Sequence, residues 1–205
     1  GTAARPAQAR PPEDDADRHR EHAECDQDER EEEDGHRVHA IARDGSILYS
    51  RWDYIDRDNM PYMGLWAMNP DGTDARMVFK NYTKAPHCTF EAKSIPGSHK
   101  IIFTGSGHHS QTMGSLVLLD PSAGLEGGDP MTRLTPEVAF PEIEGWPKTS
   151  YANPWPLSER FHLVAWGAEG YLVQGRGGWD RWHAVQRPGN GMALYLFDAA
   201  TRTRE

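Results

Sequence analysis

Two adjacent histidines, His108 and His109, have the residue types and position in this sequence that most clearly suggest chemistry. They follow a Gly-Ser-Gly loop at 105–107, and His87 and Cys88 precede the same stretch of chain. Imidazole and thiolate are ligands of zinc and copper, which need three or four such groups. Neighbouring residues of an extended chain point to opposite sides, so only one of the two adjacent histidines faces a given metal unless the loop turns. Three interpretations stay open, namely a metal site drawn from these four residues, contact with a polar ligand, or hydrogen bonding within the loop.

A second cluster of charged and aromatic residues lies in RWDYIDRD, residues 51–58. Arg51, Asp53 and Arg57 stand there beside aromatic side chains that can stack on a ligand, while arginine clamps an anion. The segment therefore predicts a binding rim. The alternative is an ion-paired loop that fixes neighbouring structural units.

A third candidate surface is the Gly-rich insertion GRGGWDRWH at 175–183, which contains Trp179 and Trp182. It lacks the GxxxxGK[ST] pattern and the strand–helix context of a phosphate-binding loop. An aromatic and basic loop of this kind favours contact with a partner or a glycan.

Common catalytic signatures are absent from the sequence, so whether the protein is an enzyme stays open. No GxSxG motif occurs. The two cysteines, Cys25 and Cys88, form no CxxCH motif, so the chain carries no attachment site for c-type haem in its usual form. No cofactor is therefore identified, although a metal ion stays open.

Composition divides the chain into an acidic tail at 1–37 and a body at 38–205. The tail holds 13 acidic and 6 basic residues and no large apolar residue, so we expect it to be disordered. The body is close to neutral and has no basic stripe, which excludes nucleic acid as the expected partner. No run of 18 apolar residues predicts a membrane span. No signal peptide is visible, and the initial Gly suggests a fragment or a processed product.

Past residue 37, short runs rich in β-branched and aromatic residues alternate with Gly and Pro turns, which is typical of an all-β fold. The predicted strands are Ile47–Tyr54, Gly64–Met68, Ala75–Phe79, Phe90–Ser94, Lys100–Thr104, Gly114–Leu119, Met131–Leu134, Phe161–Trp166 and Met192–Phe197.

Three segments of the body repeat one pattern, in which a turn leads to an apolar strand and a second apolar strand ends at a turn. The second strand of each unit ends at Asn69, Asp120 or Asp198, whose side chains we expect to bond the backbone two residues on. Such units predict a partial β-propeller of about three blades, each a four-stranded antiparallel meander. Three blades are too few to close a ring, which favours a fragment of a larger propeller. Packing between blades is expected from Trp146, Trp155 and Trp166.

The string LWAMNPDGT resembles the repeats of TolB-like and WD40-like propellers of the PD40 type. The longer stretches SILYSRWDYIDRDNMPYMGLWAMNPDGT and PHCTFEAKSIPGSHKIIFTGSGHHSQTMGSLVLLDP, followed by RLTPE, are similar to the propeller-type middle domain of the hydrazine synthase alpha subunit family. The resemblance implies a β-propeller and a periplasmic or secreted location. Haem chemistry does not carry over, because the motif that attaches haem is absent.

We therefore expect a binding or scaffold module that contacts a protein partner or a small ligand through its rim loops. The alternative is part of a haem- or metal-dependent redox enzyme whose catalytic region lies outside this chain.

Overall fold

The computed structural model describes residues 37–53, 62–109, 112–168, 172–174, 182–184 and 192–205. Most of the predicted acidic tail, at 1–36, lies outside these residues. The described residues form strands and one short 3-10 turn at Pro121–Ala123, with no α-helix among them. The strands are β1 (Arg37–Ile41), β2 (Ile47–Trp52), β3 (Met63–Met68), β4 (Arg76–Phe79), β5 (Cys88–Ser94), β6 (Ile101–Ser106), β7 (Ser115–Leu119), β8 (Met131–Arg133), β9 (Thr149–Pro156), β10 (Phe161–Ala168), β11 (Leu172–Gln174), β12 (Trp182–Ala184), β13 (Met192–Asp198) and β14 (Thr203–Arg204).

These strands form three antiparallel meanders that follow one another along the chain. The first meander is β1–β2–β3–β4, and the middle meander is β5–β6–β7–β8. The third meander pairs β9, β10, β13 and β14, with the separate β11–β12 hairpin between β10 and β13 in sequence. The part of the chain that the structure describes is therefore all-β, as the sequence predicts.

Only sparse backbone pairing joins the meanders. Met63 of β3 pairs in parallel with Cys88 of β5, and Gly114 forms a single bridge with Tyr151 of β9. The first strand of the middle meander, β5, lies against both β1 and β9. None of the described sheets closes on itself.

Side-chain burial holds the meanders together more than pairing does. In β6, Ile101 and Phe103 face the first meander, where they join Leu48, Leu65 and others in one core cluster. The residue between them, Ile102, faces the third meander and joins a second core cluster with Tyr151, Val164 and Phe197. The near-continuous apolar run of β6 is thus explained, because a strand covered on both faces needs apolar residues at successive positions.

The outer face of the third meander is uncovered in the part of the chain that the structure describes. Leu163 of β10 pairs with Trp155 on one side and Leu196 on the other, so these three share that face. Trp155 is 59% exposed and Leu194 is 72% exposed. Trp155 and Trp146 are thus exposed and do not pack between the three described meanders, whereas Trp166 packs against the second core cluster.

Each predicted strand overlaps an observed one, and β1, β9, β11, β12 and β14 were not predicted. The sequence of β9 is TSYANPWP, in which two prolines cannot donate ladder hydrogen bonds. Because β9 lies at the edge of its sheet, its free side tolerates both prolines. Turn residues in a sequence therefore do not exclude an edge strand.

A bulge interrupts the first strand of every meander. The register shifts between Val38 and Ala40 in β1 and between Phe90 and Lys93 in β5, and β9 carries the corresponding shift. The extra residues of β5 and β9 include Glu91 and Asn153, which both have positive φ. These bulges are a second feature, besides the strand order, that the three meanders share.

Each meander has one hairpin between its first and second strands and another between its third and fourth strands. Both hairpins lie at the same end of the strands, which we call the turn end. In the first hairpin of each meander, a side chain accepts a hydrogen bond from the backbone N–H two residues on. The accepting residues and distances are Asp44 at 3.0 Å, Ser98 at 3.1 Å and Ser158 at 3.2 Å.

The second hairpins repeat the same local bond. Asp120 accepts from the Ser122 amide at 3.0 Å, and Asp198 accepts from the Ala200 amide at 2.9 Å, as predicted. In the first meander the accepting residue is Asp71 rather than the predicted Asn69. The Asn69 amide group instead donates to the Thr73 hydroxyl, because the NPDGT turn places its aspartate two residues later.

Candidate functional site

The loops at the opposite end of the strands, which we call the histidine end, bring three of the predicted site residues together. His87 directly precedes β5, and His108 and His109 follow β6. All three surround Glu142, which lies in the long connection between β8 and β9. Two of the loops flank one hairpin of the middle meander, so its strand pairing sets the separation of the histidines.

Glu142 is the centre of this group. Its Oε2 lies 3.1 Å from Nδ1 of His87 and accepts a 2.9 Å hydrogen bond from the His109 backbone amide. Its Oε1 lies 2.6 Å from Nδ1 of His109. The side chains of all three residues are largely buried. One carboxylate therefore joins two imidazoles from opposite sides of a β-hairpin.

Two features let Glu142 reach this position. A Cβ atom at Gly107 would stand 2.9 Å from Glu142 Oε2, so a side chain at position 107 would displace the carboxylate. The connection is also anchored at Glu144, which accepts from both Arg133 at 2.8 Å and the Phe140 amide at 2.8 Å. Gly107 of the Gly-Ser-Gly loop thus leaves the space that the Glu142 carboxylate occupies.

The segment that carries His87 is held by a second carboxylate. Glu126 accepts hydrogen bonds from the backbone amides of Asn81 at 2.6 Å, Tyr82 at 3.0 Å and Thr83 at 2.9 Å. Burial opposes the ionisation of Glu126, but these bonds lower its pKa overall. The loop before His87 is therefore fixed from the β7–β8 connection.

Hydrogen bonding determines the charge at the centre of the site. Burial works against ionisation of Glu142, but bonds from His87 and His109 outweigh it and hold its pKa at about 2. The carboxylate is therefore ionised at neutral pH, and the facing Nδ1 atoms donate to it. In a neutral ring, that arrangement leaves Nε2 as the acceptor.

His108 differs from its neighbours because it has no carboxylate partner. Burial, then the nearby His109, lower its pKa to about 4, so the ring is neutral at physiological pH. Its Nδ1 is buried without a hydrogen-bond partner. The ring centroid lies 4.7 Å from that of Trp52, which is 40% exposed. Trp52 and His108 thus form an aromatic pair next to the group of residues around Glu142.

Because the loop turns, both adjacent histidines belong to the site, with their rings in edge-to-face contact at 4.4 Å between centroids.

Cys88 does not bond to these histidines. Its thiol donates to Met63 Sδ at 3.0 Å, and burial raises its pKa. Among the described residues, no group of three or more His, Cys, Asp or Glu side chains has an arrangement that could hold a metal ion. The metal interpretation of His87, Cys88, His108 and His109 stays a prediction without geometric support.

The predicted rim segment is only partly described. Arg51 forms an ion pair with Asp53 at 2.9 Å, and its guanidinium lies 4.4 Å from the ring centroid of Trp66. Both contacts are within the first meander, and the choice between a binding rim and an ion-paired loop stays a prediction. Arg57 and Trp179 lie outside the described residues, and Trp182 is in β12, where only the backbone is described.

His99 and His162 both lie near the start of the second strand of a meander, but their surroundings differ. His99 is exposed, and its Nε2 lies 2.9 Å from Asp120 Oδ1. His162 is fully buried in β10, and burial lowers its pKa against a smaller opposing effect of the Glu159 backbone. His99 thus belongs to the turn before β6, whereas His162 belongs to β10 itself, so the two residues have neither the same position nor the same environment.

Sequence reasoning missed Glu142. It lies in PEIEGWP, which matches no motif, and it is 33 residues from His109 and 55 from His87. The useful signal was indirect, namely a Gly-Ser-Gly loop before two histidines, which indicates that another segment approaches closely.

Comparison with known proteins assigns no family. No protein-family model matches the chain, and a search of curated proteins finds no significant match. Within the described ranges, no helix is long and apolar enough to cross a membrane.

Proposed function

We propose that this chain is part of a β-propeller-type binding module. Three successive four-stranded meanders support this architecture, together with a bulge in each first strand and the contacts of β5 with β1 and β9. In a propeller, first strands lie side by side around an axis and successive blades pack face to face. The two core clusters on opposite faces of the middle meander agree with such packing.

We further propose that the histidine end binds the partner or small ligand of this module. The observation that carries the proposal is the Trp52–His108 pair, which lies next to the ionised Glu142 and its bonded partners His87 and His109. A neutral imidazole and an exposed indole suit a planar ligand, and ligand sites commonly combine apolar surface with a few fixed polar groups. No equivalent group of residues recurs in the other described meanders.

A fragment screen by ligand-observed NMR tests this proposal. The screen uses small aromatic alcohols, amides and carboxylates against the wild-type chain and the variants His108→Ala and Trp52→Ala. We expect a subset of aromatic fragments to bind the wild-type chain and to lose binding in both variants. Trp155→Ala removes an exposed tryptophan on the third meander and serves as the control. Equal binding to all four proteins would contradict the proposal.

The resemblance to the hydrazine synthase alpha subunit middle domain, and with it a periplasmic or secreted location, remains part of this proposal. It is supported by the strings quoted above and by the repeated meanders. The alternative, part of a haem- or metal-dependent redox enzyme, has no specific observation in its favour among the described residues.

A further inference from the structure

At the turn end, the two contacts between successive meanders differ. Between the middle and third meanders, the Glu159 carboxylate accepts from the Ser98 hydroxyl and from Lys100 Nζ, the latter at 3.0 Å. Alignment of the first hairpins by their accepting residues, Ser98 and Ser158, makes His99 the counterpart of Glu159. His99 bonds Asp120 of its own meander, so it forms no such link to the first meander.

Without this link, a cleft of about 430 Å³ remains between the first and middle meanders. This volume is in the range of small-molecule sites, which are mostly apolar with a few polar groups. The cleft lies at the opposite end of the strands from the histidine end, and none of the residues that form the Glu142 group line it.

The floor of the cleft is apolar. Leu48, Ala67 and Ile101 line it and belong to the first core cluster, and Val78 packs against that cluster. Side chains that continue into a core are held in place, so the floor does not need to form when a ligand arrives. An apolar group that enters here gains burial without deforming the sheet.

One of the two arginines at the rim of the cleft has no ion-pair partner among the described residues. Arg43 lines the cleft, and its side chain has no ion pair or hydrogen bond within the described structure. Arg76 is shared between Asp74 at 2.8 Å and Asp44 at 3.3 Å. The charge of Arg76 is therefore balanced by these two carboxylates, and Arg43 is the cation left available to a ligand.

We propose that this cleft is a second binding site, which takes a small amphipathic anion with its apolar part on the Leu48–Ile101 floor and its anionic group at Arg43. A carboxylate can accept charge-assisted hydrogen bonds from guanidinium groups, and a short hydrocarbon chain fits the floor. The proposal is independent of the ligand bound at the histidine end.

Calorimetric titration with octanoate tests the site, with octylammonium and 1-octanol as ligands of the same chain length. Octanoate is expected to bind more tightly than either, and its affinity is expected to fall as salt is added. No detectable octanoate binding, or octylammonium binding of equal strength, would overturn the proposal.

Variants of the chain locate the binding. Arg43→Ala removes a side chain without structural partners, and we expect octanoate affinity to fall by about fivefold to tenfold, as for one lost hydrogen bond at a solvated rim. Val78→Phe narrows the floor and is expected to remove binding. Lys84→Ala, which removes an exposed cation elsewhere, is expected to retain the wild-type affinity. If Arg43→Ala behaves like Lys84→Ala, the anion does not bind at this rim and the proposal fails.

Discussion

The two ends of the meanders differ in how far they repeat. At the turn end, all three first hairpins use the same bond, from a backbone amide to a side chain two residues before it. At the histidine end, Glu142 joins His87 and His109 through bonds that occur once in the described structure. Repetition at equivalent positions is what a structural requirement common to all units produces.

Positions that depart from the repeat are therefore the candidates for a function that one meander performs and the others do not. The histidine end departs from it throughout. The turn end departs from it at His99, and that position borders the open cleft. Both proposed sites lie against the middle meander, which packs against a core cluster on each of its faces.

The largest expected effect is at Glu142. Glu142→Ala leaves two buried imidazoles without their acceptor, so we expect a loss of about 2–4 kcal/mol in the free energy of unfolding. Urea denaturation measures the change. Glu137→Ala, which removes an exposed carboxylate in the same connection, is the control and is expected to change stability little. Equal effects of the two variants would show that the Glu142 bonds do not hold the histidine end.

The next effect is on the pH dependence of stability. The pKa of His108 falls from 6.5 to about 4 on folding, so protonation favours the unfolded chain. Its contribution is fully present above about pH 6.5 and is lost as the pH falls toward 4. His108→Gln removes this dependence, and we expect the loss of stability between those pH values to shrink by about 1–2 kcal/mol.

A separate loss at lower pH provides the internal control for that measurement. Hydrogen bonds lower the pKa of Glu142 from 4.5 to about 2. Its contribution is therefore present above about pH 4.5 and is lost as the pH falls toward 2. This loss should persist in His108→Gln. If the free energy of unfolding of His108→Gln falls as steeply as that of the wild-type chain between pH 6.5 and 4, His108 is not a buried neutral residue.

Much of the regular structure could be predicted from the sequence because its causes are local. Turn residues such as Asp120 and Asp198 act on atoms two residues away, and strand alternation acts over a few residues. The edge strand β9 was missed because its prolines disfavour a central strand, and whether a strand lies at an edge depends on the rest of the sheet.

The site and the cleft depend on distant segments, which a single sequence does not display. The histidines could be named as candidates, but their carboxylate partner comes from a connection without a motif. Likewise, His99 and Glu159 occupy equivalent turn positions, and only the packed structure shows that one bonds its own meander and the other bonds its neighbour.

A smaller effect is expected at Gly107. The added Cβ of Gly107→Ala would stand 2.9 Å from Glu142 Oε2 and 3.0 Å from Pro141 Cβ, so the connection must shift. We expect a destabilisation of about 1–2 kcal/mol in urea denaturation. Gly128→Ala is the matched control, because nothing lies within 4 Å of its added Cβ.

A double variant sharpens the interpretation of Gly107→Ala. If the cost comes from displacing the carboxylate, Gly107→Ala should cost less in the Glu142→Ala background than in the wild-type chain. Identical costs in the two backgrounds would assign the strain to Pro141 alone.

The smallest effect is expected at the repeated turn end. Ser158→Ala removes the acceptor for the Arg160 and Phe161 amides, both in a partly solvated hairpin, so we expect a loss of about 0.5 kcal/mol. Because Asp44 performs the same local task in a different meander, Ser158→Ala and Asp44→Ala should be additive to within about 0.5 kcal/mol. Urea denaturation of both single variants and the double variant measures the coupling. Coupling as strong as that between Gly107 and Glu142 would show that the turn end is also one connected network, and the distinction between the two ends would then fail.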